Sequence, residues 1–154
     1  MDNLSTFPYA TVVAAIVGWY VVHRLSIARE RDKFRRETIA KESVELCAMA
    51  STILEKSIDY HCTERNEVAE RELKSLFDRL TLRIQHLPTM NDVVRNTAAT
   101  HSAILFKQAS TGIHFEDEHE GPLLTGDNVI ASVQIAAFNL EAELLSIRST
   151  TFAK

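Results

Sequence analysis

The sequence is poor in glycine, proline and cysteine, with four, three and two of these residues among its 154. Such a scarcity of turn-forming residues argues against an all-β fold, which needs frequent turns between short strands. The two cysteines, Cys47 and Cys62, cannot form a disulfide framework, and we interpret both as reduced structural thiols. The glycine content nearly excludes a phosphate-cradling loop, and the common nucleotide-binding, hydrolase, zinc-protease and C-x-x-C motifs are missing.

Positive charge is not in excess either, since the formal net charge is −4. Proteins that bind nucleic acid usually carry a basic surface, so the composition argues against a nucleic-acid partner. Together with the missing motifs, this balance predicts a protein that is not an enzyme and carries no cofactor. Apolar residues make up 45% of the chain, which is enough for a sizeable helical core.

Charged side chains are absent from residues 3–22, whose centre is YATVVAAIVGWYVV. A bilayer crossing needs about 20 apolar residues, so this run is long enough to span a membrane. A cleaved signal peptide is disfavoured because Asp2 precedes the run and bulky residues follow it, and a soluble helix is rarely so apolar on every side. We therefore predict a short external N-terminus and a transmembrane helix over residues 1–25. Aromatic rings, which favour headgroup depth, lie near both ends of the run: Phe7, Tyr9, Trp19 and Tyr20.

Lysine and arginine are missing before the apolar run and abundant after it. Because positive residues that flank a span stay on the cytoplasmic side, we predict a single-pass protein of the inner (plasma) membrane with a cytoplasmic C-terminal domain. The same cations can contact anionic lipid headgroups, although the acids between them favour a role in orientation alone. The cations are Arg24, Arg29, Arg31, Lys33, Arg35 and Arg36.

Small residues recur every four positions within the apolar run, at Ala10, Ala14 and Gly18. This spacing places them on one face of a helix, where they allow a second helix to approach closely. We take this face as the candidate packing surface for self-association in the membrane.

The remainder of the chain predicts an all-α fold. We assign residues 26–42 to a charged helical stalk that continues the span, and residues 43–154 to a cytoplasmic bundle of about four helices. Segments joined mostly by short turns favour antiparallel packing, and Pro88 with the 112–126 loop disfavours a single long coiled coil. Apolar positions three and four apart define four inward stripes. These are Leu46, Cys47, Ala50, Ile53, Leu54 and Ile58; Leu73, Phe77, Leu80, Ile84 and Leu87; Val94, Thr97, His101, Leu105 and Gln108; and Ile130, Val133, Ala137, Leu140, Leu144 and Ile147.

Local patterns predict helix ends and surface ion pairs. On the second segment, Glu67–Arg71 and Glu70–Lys74 have the spacing of ion pairs on an exposed side. The predicted boundary residues are Pro88 after the second segment, Thr89 and Asp92 before the third, Gly112 after it, and Asp127 or Thr125 before the fourth.

The loop HFEDEHEGP, residues 114–122, concentrates two histidines and four acids. It contains Glu116-x-x-His119, a spacing found in di-iron bundles, but those sites need a second copy and further carboxylates. His114, Glu116 and His119 are therefore weak metal-ligand candidates, and we predict a solvated acidic loop without an essential metal.

Two other histidines carry weaker signals. His61 and Cys62 lie near Glu64 and Glu67, but a structural zinc site usually needs four ligands with paired spacing. His101 lies on the third stripe with no acid near it in the helical pattern, so we interpret it as a buried or half-buried core residue and not as a catalytic base.

The run GWYVVHRLSIARERDKFRRE, Gly18 to Glu37, resembles the anchor and stalk of small uncharacterised bacterial single-pass membrane-anchored helical proteins. In those proteins a short external N-terminus and one span precede a helical cytoplasmic domain. The resemblance covers roughly the first quarter of the chain and implies a bacterial or phage origin. It brings with it no activity and no functional residues.

These features together predict a non-enzymatic, membrane-tethered helical module that binds a protein partner or itself at the cytoplasmic face. Tethering raises the effective concentration of the module toward other membrane proteins. One alternative is a phage lysis or envelope protein of the inner-membrane spanin type, which requires the domain outside the cytoplasm. A second alternative is a metal-dependent enzyme or sensor that uses residues 114–120.

Overall fold

The computed structural model describes residues 7–87, 93–112, 114–116 and 121–152. Over these residues the protein is all-α, as predicted, with four helices and no strand. The helices are α1 Phe7–Cys62, α2 Glu67–Gln85, α3 Val93–Ser110 and α4 Asn128–Phe152. The length of α1 follows from its sequence, because its one proline, Pro8, lies in the first turn, where a missing N–H costs nothing.

The chain divides into two compact units, Met1–Glu37 and Thr38–Lys154, with the boundary inside α1. In the first unit every described side chain from Thr11 to Ser26 is exposed. In the second unit the core begins at Ile39, which is fully buried although it lies within the segment that the sequence assigned to the stalk.

One hydrophobic core holds the second unit together, and all four helices contribute to it. α3 packs along α4 and against α2, where the rings of Phe77 and Phe106 meet edge to face at 5.1 Å. Burying one such side chain stabilises the fold by about 1.5–3 kcal/mol. The largest fully buried side chains are Tyr60, Phe77, Phe106, Ile39, Leu46, Ile53, Leu73, Leu80, Ile84, Ile130, Leu140 and Leu144.

Polar contacts between helices lie at the edge of this core. Arg83 of α2 donates to Glu42 and Glu45 of α1, with 2.7 Å between Nη2 and the Glu45 carboxylate. This hydrogen bond lowers the pKa of Glu45. Ser51 of α1 donates to Glu141 of α4 at 2.9 Å. These contacts fix which faces of the helices meet, while the apolar core supplies most of the stability.

The predicted inward stripes are confirmed for three of the four segments. All five positions of the second stripe and all six of the fourth are buried. In the first stripe Leu46, Ala50 and Ile53 are buried, and the other three residues are half-buried. Large apolar side chains at helical spacing therefore identified the core faces of these segments correctly.

The predicted stripe of α3 is wrong. His101 and Leu105 are exposed, as are the predicted positions Thr97 and Gln108, while the side chain of Val94 lies outside the described residues. The buried positions are Ala99, Ala103, Phe106 and Ser110. Small residues on this face let the backbones of α3 and α4 approach closely. Alanine is only weakly hydrophobic and serine is polar, so these residues do not stand out as a core face in the sequence.

The structure shows two helix N-caps, of which the sequence predicted one and did not indicate the other. Asp127 accepts a hydrogen bond from the Val129 N–H at 2.8 Å, which confirms it as the N-cap of α4. Asn66 caps α2 in the same way at 2.9 Å, although no capping box marks it. Gly112 lies just past α3, where an added Cβ would lie 2.9 Å from the Gln108 carbonyl oxygen. The predicted boundary residues Pro88, Thr89 and Asp92 lie outside the described residues.

Candidate functional site

The apolar part of α1 in the first unit exposes large side chains in every direction. From Tyr9 to Val22 these side chains are between 48% and 75% exposed. Each would gain about 25 cal/mol for every Å² of apolar surface removed from water, so this surface favours an apolar environment. α1 and α4 are both long and apolar enough to cross a membrane, but none of the most apolar stretch of α1 is buried, against 39% in α4. The core helix of a soluble protein, which is mostly buried, and a signal sequence, which lies near the N-terminus, pass the same test. Burial therefore distinguishes α1 from a core helix but not from a signal sequence.

Aromatic and cationic side chains are paired where the apolar run ends. The Nε of Arg24 donates to the Tyr20 hydroxyl at 3.0 Å, and its guanidinium lies 5.5 Å from the centre of the same ring. His23 stacks on Trp19 at 5.1 Å with an interplanar angle of 6°. Both pairs are four residues apart on one helix, which brings their side chains together. Amphipathic rings beside a cation suit the boundary between hydrocarbon and headgroups.

The predicted topology residues lie on the exposed surface of the same unit. Lys33 makes a long ion pair with Glu37 at 3.9 Å, and exposed pairs of this kind contribute little to stability. Arg36 is half-buried. The remaining cations of the set are exposed: Arg24, Arg29, Arg31 and Arg35.

The small-residue face of the predicted span is described in part. Ala14 and Gly18 are exposed, and a Cβ added at Gly18 would meet no atom within 4 Å. The side chain of Ala10 lies outside the described residues. Packing of two spans through this face stays a prediction.

A buried hydrogen-bond network joins the end of α1 to the start of α2, and we call it the Tyr60–Glu70 network. The Tyr60 hydroxyl and the Arg65 Nε both donate to the same carboxylate oxygen of Glu70, each at 3.0 Å. The backbone N–H of Glu116 donates to the Tyr60 hydroxyl at 3.2 Å. Glu70 is only 5% exposed, which corrects the prediction that it forms a surface pair with Lys74.

Lys74 pairs instead with Glu116 and lies 5.7 Å from the centre of the Phe115 ring. Phe115 is buried and packs on Tyr60 with 5.0 Å between ring centres. Glu116 has a φ of 56°, a left-handed conformation that is uncommon for a residue with a side chain. The contacts of Phe115 and Glu116 hold this start of the acidic loop against α1 and α2. The other predicted pair of α2, Glu67 with Arg71, is confirmed at 3.1 Å.

The weak metal candidates lie at this loop. His114 and Glu116 are half-buried, while His119 lies outside the described residues. Near the loop, a ring nitrogen of His61 lies 3.0 Å from the Ser110 carbonyl oxygen. Nowhere in the described ranges do three histidine, cysteine or acidic side chains come close enough to hold a metal ion. The absence of an essential metal stays a prediction.

Two titratable groups of the second unit, Tyr60 and Cys47, have raised pKa values. Burial, and then its hydrogen bond to Glu70, raises the pKa of Tyr60 to about 12. Burial and the nearby Glu141 raise the pKa of the Cys47 thiol, and a protonated thiol is a poor nucleophile. Both effects stabilise the neutral form of the group, at the buried Tyr60 and at the half-buried Cys47.

We expect alkaline pH to destabilise the second unit through Tyr60. The phenol ionises near pH 10 when unfolded and near 12 when folded, so the unfolded state loses this proton first. The stability due to the neutral phenol is therefore complete below about pH 10 and is lost as the pH rises from 10 to 12. The thermal midpoint should fall more steeply over that window in the wild type than in Tyr60→Phe. A phenolate difference spectrum between the two proteins that shows ionisation near pH 10 in the folded state would contradict this expectation.

Comparisons of the chain with protein families, with curated proteins and with solved structures return no match.

Proposed function

We propose that this chain is a single-pass membrane protein whose second unit is an antiparallel four-helix domain held at the cytoplasmic face of the inner (plasma) membrane. The domain binds a protein partner or a second copy there and catalyses no reaction. The observation that carries this proposal is the exposed apolar surface of α1 from Tyr9 to Val22, which is 48–75% exposed and has no charged residue. A bilayer is the environment that covers a uniformly apolar helix of this length.

The orientation rests on charge. All the cations of the first unit follow the apolar run, and the first of them, Arg24, is already bonded to Tyr20 at its end. Under the positive-inside rule this asymmetry leaves the second unit in the cytoplasm. The opposite orientation would place the domain where the spanin-type alternative requires it.

The contacts and protonation of the polar groups in the domain support a binding role. The buried acid Glu70 accepts two structural hydrogen bonds, and the Cys47 thiol has a raised pKa. The sequence lacks the motifs of nucleotide, phosphate and acyl chemistry. The exposed faces of the helices in a tethered domain are surfaces to which helices of other proteins bind.

Two C-terminal fusions expressed in bacterial cells test insertion and orientation together. A fluorescent fusion should emit light and stay in membranes that have been washed with alkaline carbonate, and a phosphatase fusion should be inactive. The matched control moves Arg29, Arg31 and Lys33 to the N-terminal side of the run, which should reduce the fluorescent and raise the phosphatase signal. Release of the wild-type fusion by carbonate contradicts the anchor, and an active phosphatase with a dark fluorescent fusion contradicts the orientation.

A further inference from the structure

α4 is apolar on two opposite sides. Its inner side carries the six buried residues of the fourth stripe, from Ile130 to Ile147. At 100° per residue, a second apolar line runs along the opposite side of the helix. We call this line the outer face of α4, and it consists of Ala131, Ile135, Phe138, Ala142 and Leu145.

The outer face of α4 is exposed in the chain. Ile135 is 61% exposed, Phe138 60% and Leu145 50%, while Ala131 and Ala142 are also exposed. A helix that packs on one side only normally carries polar and charged residues on the other. α2 largely follows that rule, because its exposed side carries Arg71, Glu72, Ser75, Asp78 and Arg79, with apolar residues only toward its ends, at Val68 and Leu82. α4 departs from it over four turns, which points to a partner on its outer side.

A groove lies beside the outer face, between α3 and α4. Its volume is about 210 Å³, and small side chains form much of its wall. The groove is lined by Ser102, Leu105, Ser132, Ile135, Ala136 and Asn139. One surface therefore carries large projecting side chains and, next to them, a groove that accepts side chains of this kind.

We propose that the outer face of α4, with this groove, is the surface through which two copies of the chain associate. A two-fold interface uses one patch on both copies, so the patch must be complementary to itself. Here Phe138 and Ile135 project beside the groove, and a second copy turned about a two-fold axis brings its own projections to that groove. The 4-3-4-3 spacing of the outer face is also that of helix pairs with knobs-into-holes packing.

Charge favours a second copy as the occupant. Residues 38–154 contain 11 lysines and arginines against 17 acids, a net charge of −6, so most faces of this unit repel a second copy. The five residues of the outer face of α4 are all uncharged, and the two acids of this stretch, Glu141 and Glu143, lie to its sides. Glu141 accepts a hydrogen bond from Ser51 of its own chain. The middle of this face therefore brings no like charges together when two copies meet there.

The patch has the size of a small interface. From Ala131 to Leu145 the outer face is about 21 Å long at 1.5 Å per residue, and with the flank of α3 it is roughly 20 Å wide. That is on the order of 400 Å² in projection and more in accessible surface, about half or more of the roughly 800 Å² that each partner buries in a standard interface. Lipid is the less suitable occupant, since Ser102, Ser132 and Asn139 would lose their hydrogen bonds to water in hydrocarbon.

This inference rests on the proposed function, because a membrane anchor concentrates two copies in one plane. Its test uses the full chain in mild detergent, with molar mass measured by light scattering as the protein is diluted. The wild type should be a dimer, and Phe138→Glu should weaken the dimer at least tenfold by placing a charge in the middle of the interface. Val68→Glu is the matched control, since Val68 is an isolated apolar residue of α2 that is 71% exposed, and it should leave the dimer unchanged. Circular dichroism should show the same helix content in all three proteins.

Cross-linking in membranes separates failure of this inference from failure of the proposed function. In a background with Cys47→Ser and Cys62→Ser, Ala142→Cys should be joined to itself by a short bis-maleimide, and Ser75→Cys on α2 should not. A wild type that is monomeric at all concentrations, or a dimer that resists Phe138→Glu, overturns the α4 surface. A chain that is cross-linked through Ala142→Cys only to another protein also overturns self-association, while it leaves the membrane-tethered role in place.

Discussion

Leu140→Asp is expected to unfold the second unit, or to lower its free energy of unfolding by about 4 kcal/mol or more. Leu140 is fully buried on the inner side of α4, within the core to which all four helices contribute. The substitution removes a large apolar side chain and places a carboxylate among the buried apolar side chains of the core. A domain of ordinary stability has only about 5–15 kcal/mol in total, so a loss of this size is between about a quarter and most of it.

The measurement is a thermal melt of the full chain in mild detergent, followed by circular dichroism. Leu82→Asp is the matched control because it makes the same chemical change at a leucine of α2 that is 55% exposed. It should shift the free energy of unfolding by about 0.5 kcal/mol or less. Equal melting curves for Leu140→Asp and the wild type would contradict the placement of this face of α4 in the core.

The sequence predicts a core face well where large apolar side chains carry it. The stripes of α2 and α4 are correct because leucine, isoleucine and phenylalanine recur every three or four residues there. The stripe of α3 is wrong because its core face is built from Ala99, Ala103 and Ser110 around a single large residue, Phe106. In such a helix the exposed Leu105 is more hydrophobic than most of the buried residues. The hydrophobic periodicity therefore predicts the wrong face as the core face.

Burial of a charged residue is not visible in a local pattern. Glu67 and Glu70 both precede a cation by four residues, so the sequence gives them the same role. The partners that separate them are Tyr60, ten residues earlier in the chain, and the backbone of Glu116, which bonds to that tyrosine across 56 residues. Only the tertiary fold brings these groups together.

The outer face of α4 could have been found from the sequence alone. Its residues have helical spacing, as those of the inner face do, and both faces lie within one segment of the chain. The inner stripe is the stronger of the two, and the opposite side of a helix with one strong apolar stripe is normally polar and solvent-exposed. What the sequence does not supply is the groove beside this face, because that groove depends on how α3 packs against α4.

Glu70→Ala is expected to destabilise the second unit by about 2–4 kcal/mol, whereas Glu67→Ala should cost about 0.5 kcal/mol. Both acids lie in the first turn of α2, so the loss of a favourable charge near the helix dipole is similar in the two variants. The difference comes from burial. Glu67 has an exposed partner, while removal of Glu70 takes away the buried carboxylate that accepts from both the Tyr60 hydroxyl and Arg65.

A double-mutant cycle with Tyr60→Phe tests whether loss of the Tyr60–Glu70 network causes the destabilisation of Glu70→Ala. If the Tyr60–Glu70 hydrogen bond is the interaction lost, Tyr60→Phe should cost less in the Glu70→Ala background than in the wild type, with a coupling energy of about 1 kcal/mol. Glu70→Gln should lie between the wild type and Glu70→Ala, because an amide oxygen still accepts from the phenol but no longer pairs with the charge of Arg65. The readout is the free energy of unfolding of each full-length variant in detergent. Equal effects of Glu70→Ala and Glu67→Ala, or strictly additive effects of Tyr60→Phe and Glu70→Ala, would show that this junction is held by packing alone.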